Sequence, residues 1–282
     1  MEIFVQVYRF FDNVAIIVKN VNPLSQKIYC FFVYLHLILK LIIASLTGTK
    51  VRKQKIFGRV FHFSDYKEFI TLFAEMFFLM PYAFDSESSK PVIIDAGANI
   101  GLASFYFKKL FPDSIIIAFE PSKTSFRHLK MNLKGLKGVS LVNAALSDTN
   151  RSGFLYFPKK ESSYNSSTRN RWNEGEFSKE KTSFVKLSSY IKKYKSIDFV
   201  KLDVEGVEEN VLKELDKKGL ISKIKEMFVE YHNFAGNSLA KTTTILEKNH
   251  FKIITYGGIR SPYPPIKGHY WCLSIFAFRD RV

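Results

Sequence analysis

The ten residues V-I-I-D-A-G-A-N-I-G, Val92 to Gly101, decide how the rest of the chain is read. The apolar run reads as a short buried strand. The glycines after it permit a tight turn at positive φ, and Leu102–Phe111 then reads as a helix. A strand that empties into a helix N-terminus presents backbone N–H groups to a ligand. The spacing is Gly97-x-Asn99-x-Gly101 and not G-x-G-x-x-G, because Asn99 stands where a pyrophosphate needs bare backbone. Asp95, just ahead of the turn, would repel phosphate as well. A ligand with a positive centre and no phosphate fits better, and S-adenosylmethionine carries a sulfonium, an ammonium, a ribose and an adenine.

Beyond this turn, strand-like and helix-like segments alternate. Ser114–Phe119 and Val139–Val142 read as strands around a helix at Lys123–Leu133; Phe199–Leu202, a helix over Val204–Lys218 and a strand at Glu226–Glu230 follow. Such alternation predicts an α/β fold with a parallel sheet covered on both faces. Phe251–Thr255 and Cys272–Phe278 have no helix between them and read as an antiparallel hairpin closing the sheet. Lys159–Lys181, rich in Lys, Ser, Asn and Glu, escapes the alternation and reads as a solvated loop or a substrate lid.

Polar residues gather at the carboxyl ends of these strands, where open α/β sheets bind their ligands. Glu120, in A-F-E-P, lies 23 positions after Gly97, the place of an acid that accepts from ribose hydroxyls. Asn143 ends the third strand, where an adenine should rest. Asp203 ends the strand in F-V-K-L-D-V-E-G-V-E-E, and Glu205, Glu208 and Glu209 follow near a helix start, where acids also complement the helix dipole. In M-F-V-E-Y-H, Glu230 and His232 are two apart and share one strand face. His232 can accept a hydroxyl proton, with Asp203 or Glu205 as a second or orienting group. Asp203, Glu205, Glu230 and His232 are metal ligands by type, but their spacing is diagnostic of no metal, so no metal ligand is assigned and assistance by a divalent ion stays open as the minor alternative.

The first 84 residues read differently. Ile28–Leu46 is nearly all apolar, with His36 and Lys40 spaced i,i+4, and approaches the ~20 residues that cross a bilayer. A Lys near the centre of a span costs about 2.5–3.5 kcal/mol. Lys50, Arg52, Lys53 and Lys55 follow at once, as beside an anionic membrane surface. A helix packed on its own domain, an interfacial helix and a span all remain open. Asp65–Phe84 is a second helical stretch with Phe69, Leu72, Phe73 and Met76 on one face, ended by Pro81. The polar break Asp85–Pro91 separates an N-terminal helical extension, 1–84, from a main domain, 85–282. A cytoplasmic protein is expected, with peripheral membrane contact through 28–55 as one of these alternatives.

The chain has 282 residues, 46% of them hydrophobic and 28 of them Phe, enough for a sizeable core. Its net charge of +16 is spread, +4 over residues 1–90 and +12 over 91–282, so no basic tail carries it. With acids gathered at the cleft, the balance reads as a basic surface around a cation-accepting pocket, and no nucleic-acid partner is expected. The two cysteines, Cys30 and Cys272, exclude a disulfide scaffold and a Cys-rich zinc module, and suit a reducing compartment.

D-A-G-A-N-I-G, F-E-P, K-L-D-V-E-G-V-E and V-E-Y-H, in this order, resemble the FkbM-type methyltransferase family over roughly residues 60–282. The resemblance implies a class I, Rossmann-like methyltransferase fold with a seven-stranded, mostly parallel sheet and one antiparallel strand. It also implies methyl transfer from S-adenosylmethionine to a hydroxyl of a sugar, glycan, polyketide or lipid. Asp95, Gly97, Asn99 and Gly101 would hold the methionine part, with Asp203 nearby, Glu120 the ribose, and Asn143 and Ala144 the adenine edge. Leu187-Ser188-Ser189 departs from the family's Leu-Asp. The rival readings are a Rossmann-type oxidoreductase, which the missing glycines oppose, and a non-catalytic binding module, which the intact acids oppose.

Overall fold

Helices α1 (Glu2–Asn20) and α2 (Leu24–Thr47) open an N-terminal unit, Met1–Ala83. The structure is a computed structural model and describes residues 2–21, 23–79, 82–158, 177–233, 237–260 and 271–279. Helix α2 buries Cys30, Tyr34, Leu37 and Ile38, a spacing of four, three and one that keeps them on one face. Asn13 donates to the Tyr34 hydroxyl at 2.7 Å, and the Tyr34 ring meets Phe78 edge-on. Lys40 turns inward, donating to Gln54 Oε1 at 2.8 Å and lying over the Tyr66 ring.

Strands β1 (Lys53–Ile56) and β2 (Arg59–His62) form an antiparallel hairpin that the sequence reading did not foresee. Its turn, Phe57-Gly58, takes positive φ at both residues, the backbone a two-residue hairpin requires. Helix α3 (Tyr66–Ala74) starts where Asp65 accepts from the Glu68 N–H and runs on as a π-helical turn, Glu75–Leu79. Phe61, Phe63, Phe69, Phe73 and Phe78 fill the core of this unit.

The second unit, Phe84–Val282, contains β3 (Val92–Ala96), α4 (Leu102–Leu110), β4 (Ile115–Phe119), α5 (Lys123–Asn132) and β5 (Val139–Val142). Next come β6 (Ala145–Leu146), β7 (Arg151–Pro158), β8 (Phe177–Val185), α6 (Ser188–Ile191), β9 (Ile197–Leu202) and α7 (Glu208–Lys217). The described chain ends with β10 (Ile224–His232), α8 (Leu239–Lys248), β11 (Lys252–Arg260) and β12 (Trp271–Phe278). Seven strands make one sheet in the order β11-β12-β10-β9-β3-β4-β5, with β12 antiparallel to both neighbours and the pairs from β10 to β5 parallel. This is the mostly parallel sheet with one antiparallel strand that the resemblance implies, and its order reverses beside β3, where β4 and β9 flank it.

Two expectations are corrected. The helix expected from Val204 begins at Glu208, because Glu205 (φ 55) and Gly206 (φ 100) turn the backbone left-handed and delay it. Phe177–Lys181, expected within an irregular loop, belongs to β8, which pairs with β7 and β6 in a small sheet. Its run of charges disguised a strand with a solvated face. Residues 159–176, and with them Trp172 and the lid reading, lie outside the described residues, as do Pro81 and Ser261–Pro265.

Candidate active site

The site is built on β9, whose six residues are all buried between β3 and β10. The register places Asp95 of β3 beside Lys201 of β9. Lys201 is 4% exposed; its Nζ donates to the Gly97 carbonyl at 2.8 Å and to Asp203 Oδ2 at 3.1 Å, with Asp95 Oδ1 at 3.8 Å. Burial opposes the ammonium charge, but Asp203 and Asp95 outweigh it and hold the Lys201 pKa above its ordinary value. Burial raises the Asp95 pKa, while Lys201 and the Ser104 hydroxyl, donating at 2.6 Å, partly offset this.

Gly97 (φ 84), just past β3, packs closely on the backbone that follows β9: a Cβ there would lie 1.8 Å from the Asp203 carbonyl oxygen. Asn99 also has positive φ (47), a conformation Asn tolerates better than most residues. Its N–H donates to Glu120 Oε2 at 2.9 Å, and the Ser122 N–H donates to Glu120 Oε1 at 2.8 Å. Glu120 therefore knits the turn to the end of β4. Burial pushes its pKa up to about 7 in spite of these two donors. Gly101 (φ 90) precedes α4, which no side chain caps. Asn143 donates from Nδ2 to the carbonyls of Glu120 (2.8 Å) and Pro121 (3.1 Å), and Ala144 is buried beside it. A groove of ≈ 400 Å³, lined by Lys123, Phe126, Arg127, Lys130, Met131 and Asn143, runs along α5.

At the end of β10 the buried His232 is ringed by acids. Nδ1 lies 2.9 Å from Glu208 Oε1, while Nε2 lies 3.7 Å from Glu205 and 3.9 Å from Glu230. Burial disfavours an imidazolium, but Glu205 and Glu208 outweigh it and raise the pKa to about 10. Glu208, fully buried, also accepts from the Gly206 N–H, which locks the left-handed turn carrying Glu205. Asn237 donates to the carbonyls of Gly206 and His232, fixing the same corner. On the antiparallel neighbour, Cys272 pairs in register with His232 and donates from Sγ to Glu230 Oε1 at 2.9 Å.

The expected residues thus form two groups that meet. Asp95, Gly97, Asn99, Gly101 and Glu120 surround the first turn, with Asn143 and Ala144 at its far side. Asp203 links them through Lys201 to the second group, in which the ligating atoms of Asp203, Glu205 and His232 all lie within 4.8 Å of one another. Lys201 was not singled out from the sequence, although a Lys inside a buried strand with Asp at i+2 must find a carboxylate. Cys272 and Asn237 left no such signal, since only the fold brings them to His232.

These residues fit S-adenosylmethionine. Asp95, Glu120, Asp203, Glu205, Glu208 and Glu230 outnumber Lys201 and His232, so the cleft favours a cationic ligand. The buried Asp95 Oδ1 has no hydrogen-bond partner among the described residues. Each Glu120 oxygen has one backbone donor and retains a lone pair for a ribose hydroxyl. The uncapped start of α4 suits a carboxylate.

The methyltransferase FkbM domain matches residues 95–253. The chain is 32% identical over 180 residues to methyltransferase sdnD of Sordaria araneosa, covering 52% of this chain and 69% of that one. It is 28% identical over 181 residues to methyltransferase 1 of Beauveria bassiana, covering 57% of this chain and 72% of that one. Among solved structures it is similar to the methyltransferase FkbM from Methylobacillus flagellatus KT, at 11% identity and a TM-score of 0.43, over 76% of this chain and 54% of that one.

Proposed function

The chain belongs to the FkbM methyltransferase family, and on that premise we propose that it methylates a hydroxyl oxygen of a sugar, glycan or glycolipid. Its cofactor is S-adenosylmethionine, which when bound supplies an electrophilic methyl group on a sulfonium. Asp95, Gly97, Asn99 and Gly101 would hold the methionine part, Glu120 the ribose, and Asn143 and Ala144 the adenine edge.

One observation carries the oxygen reading: three carboxylates, Asp203 (24% exposed), Glu205 (25%) and Glu230 (25%), rim the buried His232. Carboxylates only accept hydrogen bonds, so this rim favours an acceptor rich in hydroxyl donors. Holding such an acceptor in near-attack geometry is the larger part of the catalysis, and removal of its proton by a positioned base adds about 10²–10⁴-fold.

The charge state of His232 shapes how that proton is handled. With a pKa of about 10 it already carries a proton at neutral pH, donating from Nδ1 to Glu208 and directing Nε2–H toward Glu205. In this reading Glu205 collects the acceptor's proton, His232 holds Glu205 in place, and Asp203, steadied by Lys201, orients the hydroxyl.

The purified chain, labelled S-adenosylmethionine and a panel of sugars and glycolipids test this. A labelled methyl ether is the expected product. Label found only on nitrogen or in an alkali-labile ester would overturn it.

A further inference from the structure

We propose that the N-terminal unit, Met1–Ala83, docks on a bilayer containing anionic phospholipid through one exposed face of α2, lying on the membrane and not crossing it. Leu24 (69% exposed), Ile28, Phe32, Leu39, Ile42, Ile43 and Leu46 (82%) are all large, apolar and solvent-facing. At 3.6 residues per turn they fall within roughly 100° of the helix circumference, a stripe running the whole length of α2. Scattered surface apolar residues need no explanation, but a continuous stripe on a helix marks an interaction surface. Phe11 and Val18 of α1 are exposed as well.

By length and composition α2 could cross a bilayer, with a mean hydropathy of 2.0 and only 22% of its apolar window buried. Its other face forbids that while the unit stays folded. Cys30, Tyr34, Leu37 and Ile38 are packed inside, Asn13 holds the Tyr34 hydroxyl, and Lys40 is bonded to Gln54 and covered by Tyr66. Crossing would strip these partners and surround Lys40 with hydrocarbon. A helix with one face committed to protein and the other to solvent suits the interface plane.

Charge selects the occupant. Residues 13–64 contain eight Lys or Arg and no Asp or Glu. Lys50, Arg52, Lys53 and Lys55 follow the helix C-cap at Gly48, and all four are exposed. An apolar stripe beside an acid-free basic segment complements an anionic lipid surface, and would repel a second copy of itself.

Flotation of the full chain with vesicles of phosphatidylcholine, with and without phosphatidylglycerol, tests the proposal. The parent should float with the anionic vesicles, and Phe32→Glu, Leu39→Glu and Ile43→Glu together should reduce the bound fraction at least tenfold, with an unchanged circular dichroism melt. Should that triple variant fail to fold, Leu46→Glu alone, at the most exposed position, should still weaken flotation. Replacing Lys50, Arg52, Lys53 and Lys55 by Gln should reduce binding and its salt sensitivity. Four results would overturn the proposal: no flotation of the parent; flotation unaffected by the glutamates; resistance to alkaline carbonate, which marks a span; or a dimer that the glutamates dissociate, which marks a protein interface.

Discussion

Lys201 donates from Nζ to the carbonyl oxygen of Gly97 at 2.8 Å, so a charge on β9 holds the glycine turn that follows β3. The same ammonium faces Asp95 and Asp203, and the turn, the strand ends and the acids of the cleft therefore share one buried cation.

Removing that cation should be severe. Lys201→Met leaves Asp95 and Asp203 facing each other without a counter-charge, and losing one partner of a buried pair costs about 3–5 kcal/mol. Urea melts should show this loss, and adding Asp95→Asn should recover part of it. A Lys201→Met protein as stable as the parent would show that the ammonium is dispensable.

Gly97→Ala and Gly135→Ala separate steric exclusion from backbone strain. Both glycines have positive φ, 84 and 82, but a Cβ at Gly97 would lie 1.8 Å from Asp203 O while one at Gly135 meets nothing within 4 Å. Gly135→Ala should lower stability by about 1–2 kcal/mol, the left-handed penalty alone. Gly97→Ala should be much worse and abolish binding of S-adenosylhomocysteine by calorimetry. Similar effects of the two would mean that β3 and β9 can part at little expense.

Glu120→Ala tests the knot between the turn and β4. It deprives the N–H groups of Asn99 and Ser122 of their acceptor, at about 1–3 kcal/mol for each that stays buried. Binding of S-adenosylhomocysteine should fall at least tenfold. Because the folded-state pKa is raised from 4.5 to about 7, the native state binds the extra proton, and stability attributable to Glu120 falls as pH rises across that window. Glu120→Gln should remove this part of the pH dependence, and melts between pH 4.5 and 7 would reveal it.

The sheet was legible because its strands are short buried runs between helical periods, and the first turn because its glycines stand between a buried strand and a helix. What escaped did so for physical reasons. The β1–β2 strands have four residues each, and β2 buries only Phe61, too little pattern to separate from loop. Lys201 reads as a surface residue until the register sets it against Asp95. The proton on His232 depends on Glu205 and Glu208, whose approach is made by the left-handed turn at Glu205-Gly206 and not by their spacing along the chain.

That proton gives a test in stability as well as in chemistry. His232 titrates near 6.5 when unfolded and near 10 when folded, so its contribution is complete below pH 6.5 and is lost as pH rises through 10. Between those limits the native state holds one proton more than the unfolded chain, and stability should fall by about 1.4 kcal/mol per pH unit from this group. Cys272 and Lys201 also have raised pKa values, but their ordinary values of 9.0 and 10.5 confine them to more alkaline solutions. Thermal melts at pH 7, 8 and 9 should therefore show a decline in the parent that is flatter in His232→Gln. Parallel slopes would mean that His232 is neutral in the folded chain, and would return it to the role of proton acceptor.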